Sequence, residues 1–153
     1  MHQPTWQWRS FNELSLQELH QVLRLRQQVF VVEQQCPYED IDGWDDKATH
    51  LLSIGASDRL IATCRVFAPG IRFGEANISR ILSSADARGQ GLGHELVRRG
   101  KAFCAEKFPK SAIRIAGQAH LQQFYGSHGF VTEGDEYPVD GIPHVDMFFR
   151  PRA

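Results

Sequence analysis

The sequence predicts a mixed α/β fold, with one central sheet of about seven strands flanked by about four helices. Segments of period-two alternation and of helical spacing follow one another in the order β-α-α-β-β-β-α-β-α-β-β. A glycine-rich hexapeptide, Arg88-Gly89-Gln90-Gly91-Leu92-Gly93, joins a strand to a helix. The 153 residues, 42% hydrophobic and 23% charged, suffice for the core of one domain covering 1–153.

Trp6 to Phe11 alternates bulky and polar side chains and starts the sheet. Ser15-Leu16-Gln17-Glu18 is a capping box that opens a helix. Leu16, Leu19, Val22, Leu23, Val29 and Phe30 keep helical spacing, which predicts an amphipathic helix on the sheet with Arg24 and Arg26 on or beside its polar flank. A second helical run from Val29 is ended by Pro37. The loop that follows holds Glu39, Asp40, Asp42, Asp45 and Asp46; it is either solvated surface or a rim that attracts a cationic amine.

His50 to Ala56 and Leu60 to Phe67 read as a hairpin turning at Ser57-Asp58. Ala68-Pro69-Gly70 breaks the pattern, and Ala76 to Leu82 resumes it as the fourth strand. A helix from about Gly91, closed by Pro109, buries Leu92, Leu96, Val97, Gly100, Phe103, Cys104 and Phe108. Ala112 to Ala116 is a short buried strand, and in the brief helix from His120 to Ser127 the side chains Leu121, Phe124 and Tyr125 share a face. Gly129-Phe130-Val131 begins a sixth strand. After a turn at Asp140-Gly141, Val145 to Phe149 supplies a seventh.

A formal charge of −1 gives no case for nucleic acid or an anionic membrane as partner. The opening Met1 to Trp6 lacks a basic start and an apolar stretch, and no apolar run approaches the roughly 20 residues needed to span a bilayer, so the expectation is a cytoplasmic protein. Cys36, Cys64 and Cys104 are odd in number and form no Cys-x-x-Cys pair, which argues for reduced, buried thiols and against a zinc knuckle. No metal is expected: His94-Glu95 begins a zincin-like motif, but Arg98 occupies the second histidine's place. Gly126-Ser127-His128-Gly129 is likewise not a serine-nucleophile elbow.

In the hexapeptide, glycines at 89, 91 and 93 permit a tight turn whose N–H groups point outward. The start of the following helix adds unpaired N–H groups and the positive end of its dipole, so this corner suits an anion such as a pyrophosphate. The dinucleotide fingerprint fails because His94 stands where Gly or Ala is needed, and no Gly-Lys-Ser/Thr is present for a P-loop.

Arg/Gln-x-x-Gly-x-Gly/Ala does fit, and here the chain resembles the GNAT N-acetyltransferases. The resemblance extends to Gln118-Ala119-His120-Leu121-Gln122-Gln123-Phe124-Tyr125 followed by Gly129-Phe130. Val29-Phe30-Val31-Val32-Glu33-Gln34, Cys36-Pro37-Tyr38, Asp40-Ile41-Asp42-Gly43 and Asp140-Gly141-Ile142-Pro143-His144 narrow it to the ElaA-like branch.

The resemblance implies a mixed, mostly antiparallel sheet and transfer of the acetyl group of acetyl-CoA to a primary amine, by direct attack and with no metal. It implies that Ile81, Leu82 and Ser83 splay from the fifth strand and meet the pantetheine arm. Backbone N–H groups of Arg88, Gly89, Gln90, Gly91, Leu92, Gly93 and His94 would hold the pyrophosphate, with the Arg88 side chain assisting. Tyr125 matches the position that donates a proton to the departing thiolate; without the resemblance it reads equally as a core aromatic.

An alkylammonium with a pKa near 10.4 is free amine in only about one molecule in two thousand at pH 7, a deficit of roughly 4.6 kcal/mol. A general base reduces that handicap. Glu33, His120 and His144 are the candidates, with Glu75 a weaker positional one. Arg24, Arg26, Glu33 and His144 are candidates to contact an acceptor, a small-molecule amine in preference to a protein lysine. A homodimer through the last strands is compatible with the family. Two other readings stay open: an acyl-homoserine-lactone-synthase-like enzyme, which Arg24 to Asp45 also resembles, and a non-catalytic acetyl-CoA sensor.

Overall fold

The computed structural model describes residues 3–152, so Met1 and His2 of the opening segment and Ala153 lie outside the described residues. Strands β1 (Thr5–Ser10), β2 (Thr49–Ile54), β3 (Leu60–Phe67), β4 (Ala76–Ser83), β5 (Ile113–Gln118), β6 (Val131–Thr132), β7 (Tyr137–Val139) and β8 (Ile142–Phe149) form one sheet. Its order is β1-β2-β3-β4-β5-β8-β6, with β7 also on β8. Every pairing is antiparallel except β4 with β5. The expected mixed, mostly antiparallel sheet is therefore present. The final turn at Asp140-Gly141 joins two strands where the sequence predicts one, because β7 is only three residues long and carries Pro138.

The helices are α1 (Leu16–Arg26), α2 (Leu92–Lys107) and α3 (Gln122–Gly126). Ser15 caps α1 with both bonds of the predicted box, Glu18 N–H to Ser15 Oγ at 3.0 Å and Ser15 N–H to Glu18 Oε1 at 2.9 Å. The expected second helix is not separate. Arg26 and Gln27 stay in helical geometry, and the chain continues as a π-helical stretch, Gln27–Glu33. Nothing breaks the backbone at residue 27, so three α-helices replace the expected four.

Helix α1 buries Val22 and Leu25, and the π-helical stretch buries Val29, against Leu52, Leu60 and Leu82. Leu16, placed on this face from its spacing, is 88% exposed because it lies in the first turn, beyond the sheet. Helix α2 packs on the other face, where Leu92, Leu96, Val97 and Cys104 meet Leu51, Cys64, Val66 and Ile78. Phe103 stacks on Trp8 of β1 with ring centroids 4.3 Å apart. Leu51 and Leu52 point into different cores, as period-two alternation requires.

Strand β4 does not keep that alternation. Arg65 pairs with Ser79 and Thr63 with Leu82, so two residues, Arg80 and Ile81, oppose Cys64 alone. This is a β-bulge, and Arg80 adopts a left-handed conformation with φ 52°. Before the bulge, Ala76 and Ile78 face α2; after it, Leu82 faces α1 and Ile81 takes the α2 side.

In the acidic loop Glu39 and Asp46 are exposed, as solvated surface would be, but Asp40, Asp42 and Asp45 are neither solvated nor a free rim. Arg26, 1% exposed, donates through Nε to Asp40 Oδ2 at 2.9 Å, through Nη1 to Asp45 Oδ1 at 2.7 Å and through Nη2 to the Asp40 carbonyl at 2.7 Å. Arg65, 2% exposed, binds both Asp42 oxygens at 2.9 and 2.6 Å and Asp45 Oδ1 at 2.8 Å. Arg80 reaches Asp40 Oδ1 at 2.9 Å and Asp42 Oδ2 at 3.3 Å. The loop is thereby pinned to α1, β3 and the β4 bulge. Arg26 leaves the polar flank assigned to it, and all three of its guanidinium nitrogens are engaged within the protein.

Burial works to raise the Asp42 and Asp45 carboxyls. The bonds and charge of Arg65 on Asp42, and of Arg26 then Arg65 on Asp45, overcome this and hold both below the usual range. Because these folded-state values are depressed, their contribution is complete above the unfolded value near 3.9 and is lost as pH falls through the lower folded values. Stability measured by urea denaturation is expected to hold from neutral pH to about pH 5 and then fall steeply, and Asp42→Asn is expected to flatten that acid limb. Arg26→Ala, which removes one of the two arginine partners of each of the buried Asp40 and Asp45, is expected to cost about 3 kcal/mol in the same measurement at pH 7.

Candidate functional site

Strands β4 and β5 pair only at Ala76 with Ile113 and Asn77 with Arg114. Beyond those two rungs they diverge, leaving a slot whose lips are the ends of β4 at Ser83 and β5 at Gln118. Ser83 stays paired with Ala62 of β3, so its other edge faces the slot. Leu82 is buried toward α1, while Ile81 and Ser83 are half-buried.

The chain leaves β4 through a single 3-10 turn, Ala85–Ala87, and enters the glycine loop. Gly89 and Gly91 have φ of 84° and 77°, and a Cβ at either would meet open space. Glycine is thus required there by the backbone rather than by crowding. Gly91 caps α2, and the first helical bond is Glu95 N–H to the Gly91 carbonyl at 3.1 Å. The amides of Leu92, Gly93 and His94 precede that bond and have no intrahelical acceptor. Leu92 is buried and anchors the turn, whereas Gly89, Gln90 and Gly91 are exposed. A loop with outward amides at a helix N-terminus, beside an open slot, fits a phosphorylated ligand with a long arm.

Tyr125 of α3 lies across from β5 and is 6% exposed. Its ring makes edge contacts with Phe124 and Phe130, at centroid separations of 5.1 and 6.3 Å. Gly117 of β5 makes room for it, since a Cβ there would stand 3.0 Å from Tyr125 Cε2. Burial, with Cys64 adding to it, pushes the phenol up to about 12. Tyr125 is therefore protonated at neutral pH, and its hydroxyl is absent from the sealed, unpartnered polar atoms.

The base candidates occupy different places. Glu33, last residue of the π-helical stretch, is gripped by Arg88 through Nη1–Oε1 at 2.5 Å and Nη2–Oε2 at 2.6 Å. That grip holds the Glu33 carboxyl below its usual range and raises the Arg88 guanidinium. Arg88 Nη2 also points to the Ser83 carbonyl at 3.4 Å. His120 is exposed on the 3-10 turn Ala119–Leu121. His144 is half-buried on β8 opposite Gln118, with Nδ1 2.7 Å from the Ile142 carbonyl. Glu75 lies before β4, 3.8 Å from Arg114, at the end of the strand away from the slot.

Arg24 is exposed and lines a groove of about 480 Å³ with Leu23, Gln27, Val31, Tyr38 and Ile41. Next to the glycine loop, His94 Nδ1 and His128 Nε2 lie 2.8 Å apart and share one proton. Arg65, Arg80, Gly117 and Gln118 are structural participants that sequence patterning did not single out. An arginine inside the apolar run Leu60–Phe67, downstream of an acidic loop, is a signal by which Arg65 was recognisable.

An acyl-transferring fold is thus defined by the bulged β4, the splayed β5 and the loop that caps α2. Residues 12–150 match the acetyltransferase (GNAT) domain family, and the chain belongs to that family, in its ElaA-like branch. It is 38% identical over 143 residues to the protein ElaA of Escherichia coli, covering 93% of this chain and 94% of ElaA. The crystal structure of ElaA superposes with a TM-score of 0.89 at 36% identity, over 96% of this chain and 99% of that one. An acyl-CoA N-acyltransferase from Pseudomonas aeruginosa gives a TM-score of 0.91 at 38% identity, over 95% and 99% of the two chains. A UPF0039 protein of Synechocystis is 40% identical over 149 residues, 95% of this chain and 94% of its own. A CoA-dependent acyl-homoserine lactone synthase, at 18% identity and TM-score 0.76 over 99% and 84%, shares the fold alone.

Gly117→Ala places a methyl group against the Tyr125 ring. Overpacking there is expected to lower stability by about 1–3 kcal/mol in urea denaturation and to alter the ultraviolet titration of the buried phenol.

Proposed function

We propose that the protein transfers the acetyl group of acetyl-CoA to a primary amine, with a small molecule preferred to a protein lysine as acceptor. One observation carries this reading: β4 loses its pairing with β5 after Asn77 and leads, through one 3-10 turn, into the loop whose Gly91 caps α2, which supports an anion cradle next to a gap between two strands. Acetyl-CoA, when bound, supplies a thioester whose acyl carbon a free amine attacks, the C–N bond forming as the C–S bond breaks.

In this reading the protein's own groups bind, orient and manage protons. Amides of Arg88 to His94 hold the pyrophosphate, and the free edge of Ile81 to Ser83 takes the pantetheine arm. Tyr125 then sits at the slot with its proton in place. A thiol titrates near 8.5, so full transfer from a phenol at about 12 is uphill by about 5 kcal/mol. Tyr125 therefore acts by donating a hydrogen bond to the developing thiolate while keeping its own proton, and the released thiolate takes its proton from solvent. The amine's proton requires a carboxylate, imidazole or water at the slot, and Glu33 on the β4 side and His144 beside Gln118 on the β5 side lie nearer than Glu75.

Calorimetric titration with acetyl-CoA tests the reading directly: micromolar or tighter binding is expected, and its absence overturns the reading. Gly91→Glu is expected to abolish that binding by setting bulk and negative charge against the pyrophosphate. A Cβ at 91 meets no protein atom within 4 Å, so the loss would arise chiefly on the ligand side, alongside a left-handed backbone penalty of about 1–2 kcal/mol. Tyr125→Phe is expected to lower kcat about tenfold to a hundredfold in a thiol-release assay, with acetyl-CoA affinity unchanged. Wild-type turnover in that variant would remove Tyr125 from the chemistry.

A further inference from the structure

The end of the π-helical stretch lies as a bar across the slot. Glu33 holds the β4 lip through Arg88, which also touches the Ser83 carbonyl. Gln34, the next residue, holds the β5 lip, accepting from Gln118 Nε2 at 3.1 Å. Two adjacent residues thus bridge the lips of strands that diverge after Asn77 and Arg114.

The two ends of the bar differ in chemistry. Gln34–Gln118 is a neutral contact. Arg88–Glu33 is a paired-donor ion pair with side chains 43% and 40% exposed. Solvent and salt screen an exposed pair of that kind, so a phosphate can compete for the same guanidinium. Arg88 also opens the loop whose amides form the anion cradle, and a guanidinium fork engages a phosphate in the same two-pronged way as a carboxylate.

Resting on the proposed acetyl-CoA site, we infer that Arg88 is an exchangeable latch: it pairs with Glu33 in the free protein and leaves Glu33 for the pyrophosphate when the cofactor binds. The exchange does two things. It opens the β4 side of the bar, and it frees the Glu33 carboxylate beside the slot only after the thioester is in place. A freed carboxylate there can receive the ammonium head of an acceptor and take its proton from nitrogen to carboxylate oxygen. Cofactor binding therefore precedes productive acceptor binding, and Glu33 is a base only in the loaded protein.

Binding alone tests the latch. Acetyl-CoA is titrated calorimetrically into the wild-type protein, Glu33→Gln, Arg88→Gln and the double variant. Because Glu33 competes for Arg88, Glu33→Gln is expected to bind about three- to tenfold more tightly than wild type, and Arg88→Gln more weakly. In the Arg88→Gln background the gain from Glu33→Gln is expected to vanish. A merely structural Glu33 would weaken binding when replaced, and that result overturns the latch, as does unchanged affinity. A gain that persists without Arg88 would show simple charge repulsion and also overturns it. Those outcomes leave the acetyl-CoA site standing; no binding by the wild-type protein removes the site and the latch together.

Discussion

One extra residue in β4 sets the geometry of the whole upper half of the molecule. The bulge at Arg80 shifts the strand's phase, so Ile78 and Leu82, four residues apart, face different cores. A regular strand would keep both on one side and would give β5 no reason to part from it after Asn77. The left-handed backbone at Arg80 costs about 1–2 kcal/mol for a residue with a side chain. What offsets that cost is the same side chain, which reaches Asp40 and Asp42 and lies over the Tyr38 ring at 5.5 Å.

The ion network around Asp40, Asp42 and Asp45 therefore belongs to the site's architecture, although none of its carboxylates faces the slot. Arg26 brings α1, Arg65 brings β3 and Arg80 brings the bulge to one short loop. Such an arrangement gives limited net stability, because desolvation consumes much of the Coulomb gain. Its value is positional. With α1 locked to the bulge, the π-helical continuation from Gln27 has a fixed start, and Glu33 and Gln34 are delivered to the two lips of the slot.

Charge is divided accordingly. Buried arginines are saturated by carboxylates and immobile, while Arg88 at the rim has a partner it can give up. Tyr125 occupies the opposite extreme, enclosed by Phe124, Phe130 and the side-chain-free surface at Gly117, and its proton is retained. On the proposed reading, Tyr125 would serve the leaving thiolate and Glu33 the attacking amine.

Much of this was legible in the chain. Period-two and helical spacing located the strands and the face of α2, Ser15 and Glu18 marked the start of α1, and glycines 89 and 91 marked a left-handed turn into a helix, because each signal is local. The acidic loop, Arg26 and the helix after it were not legible. Whether Asp40 is solvated or buried depends on Arg26 and Arg80, which are 14 and 40 residues away in sequence, and Asp42 depends likewise on Arg65, 23 residues away; all are adjacent only in the fold. The sequence by itself determined the family, the sheet and the glycine loop, since backbone conformation and patterning are properties of neighbouring residues. Only the tertiary structure decided which charges are sealed, where β4 changes face and which residue grips Arg88, since those depend on long-range pairing and desolvation.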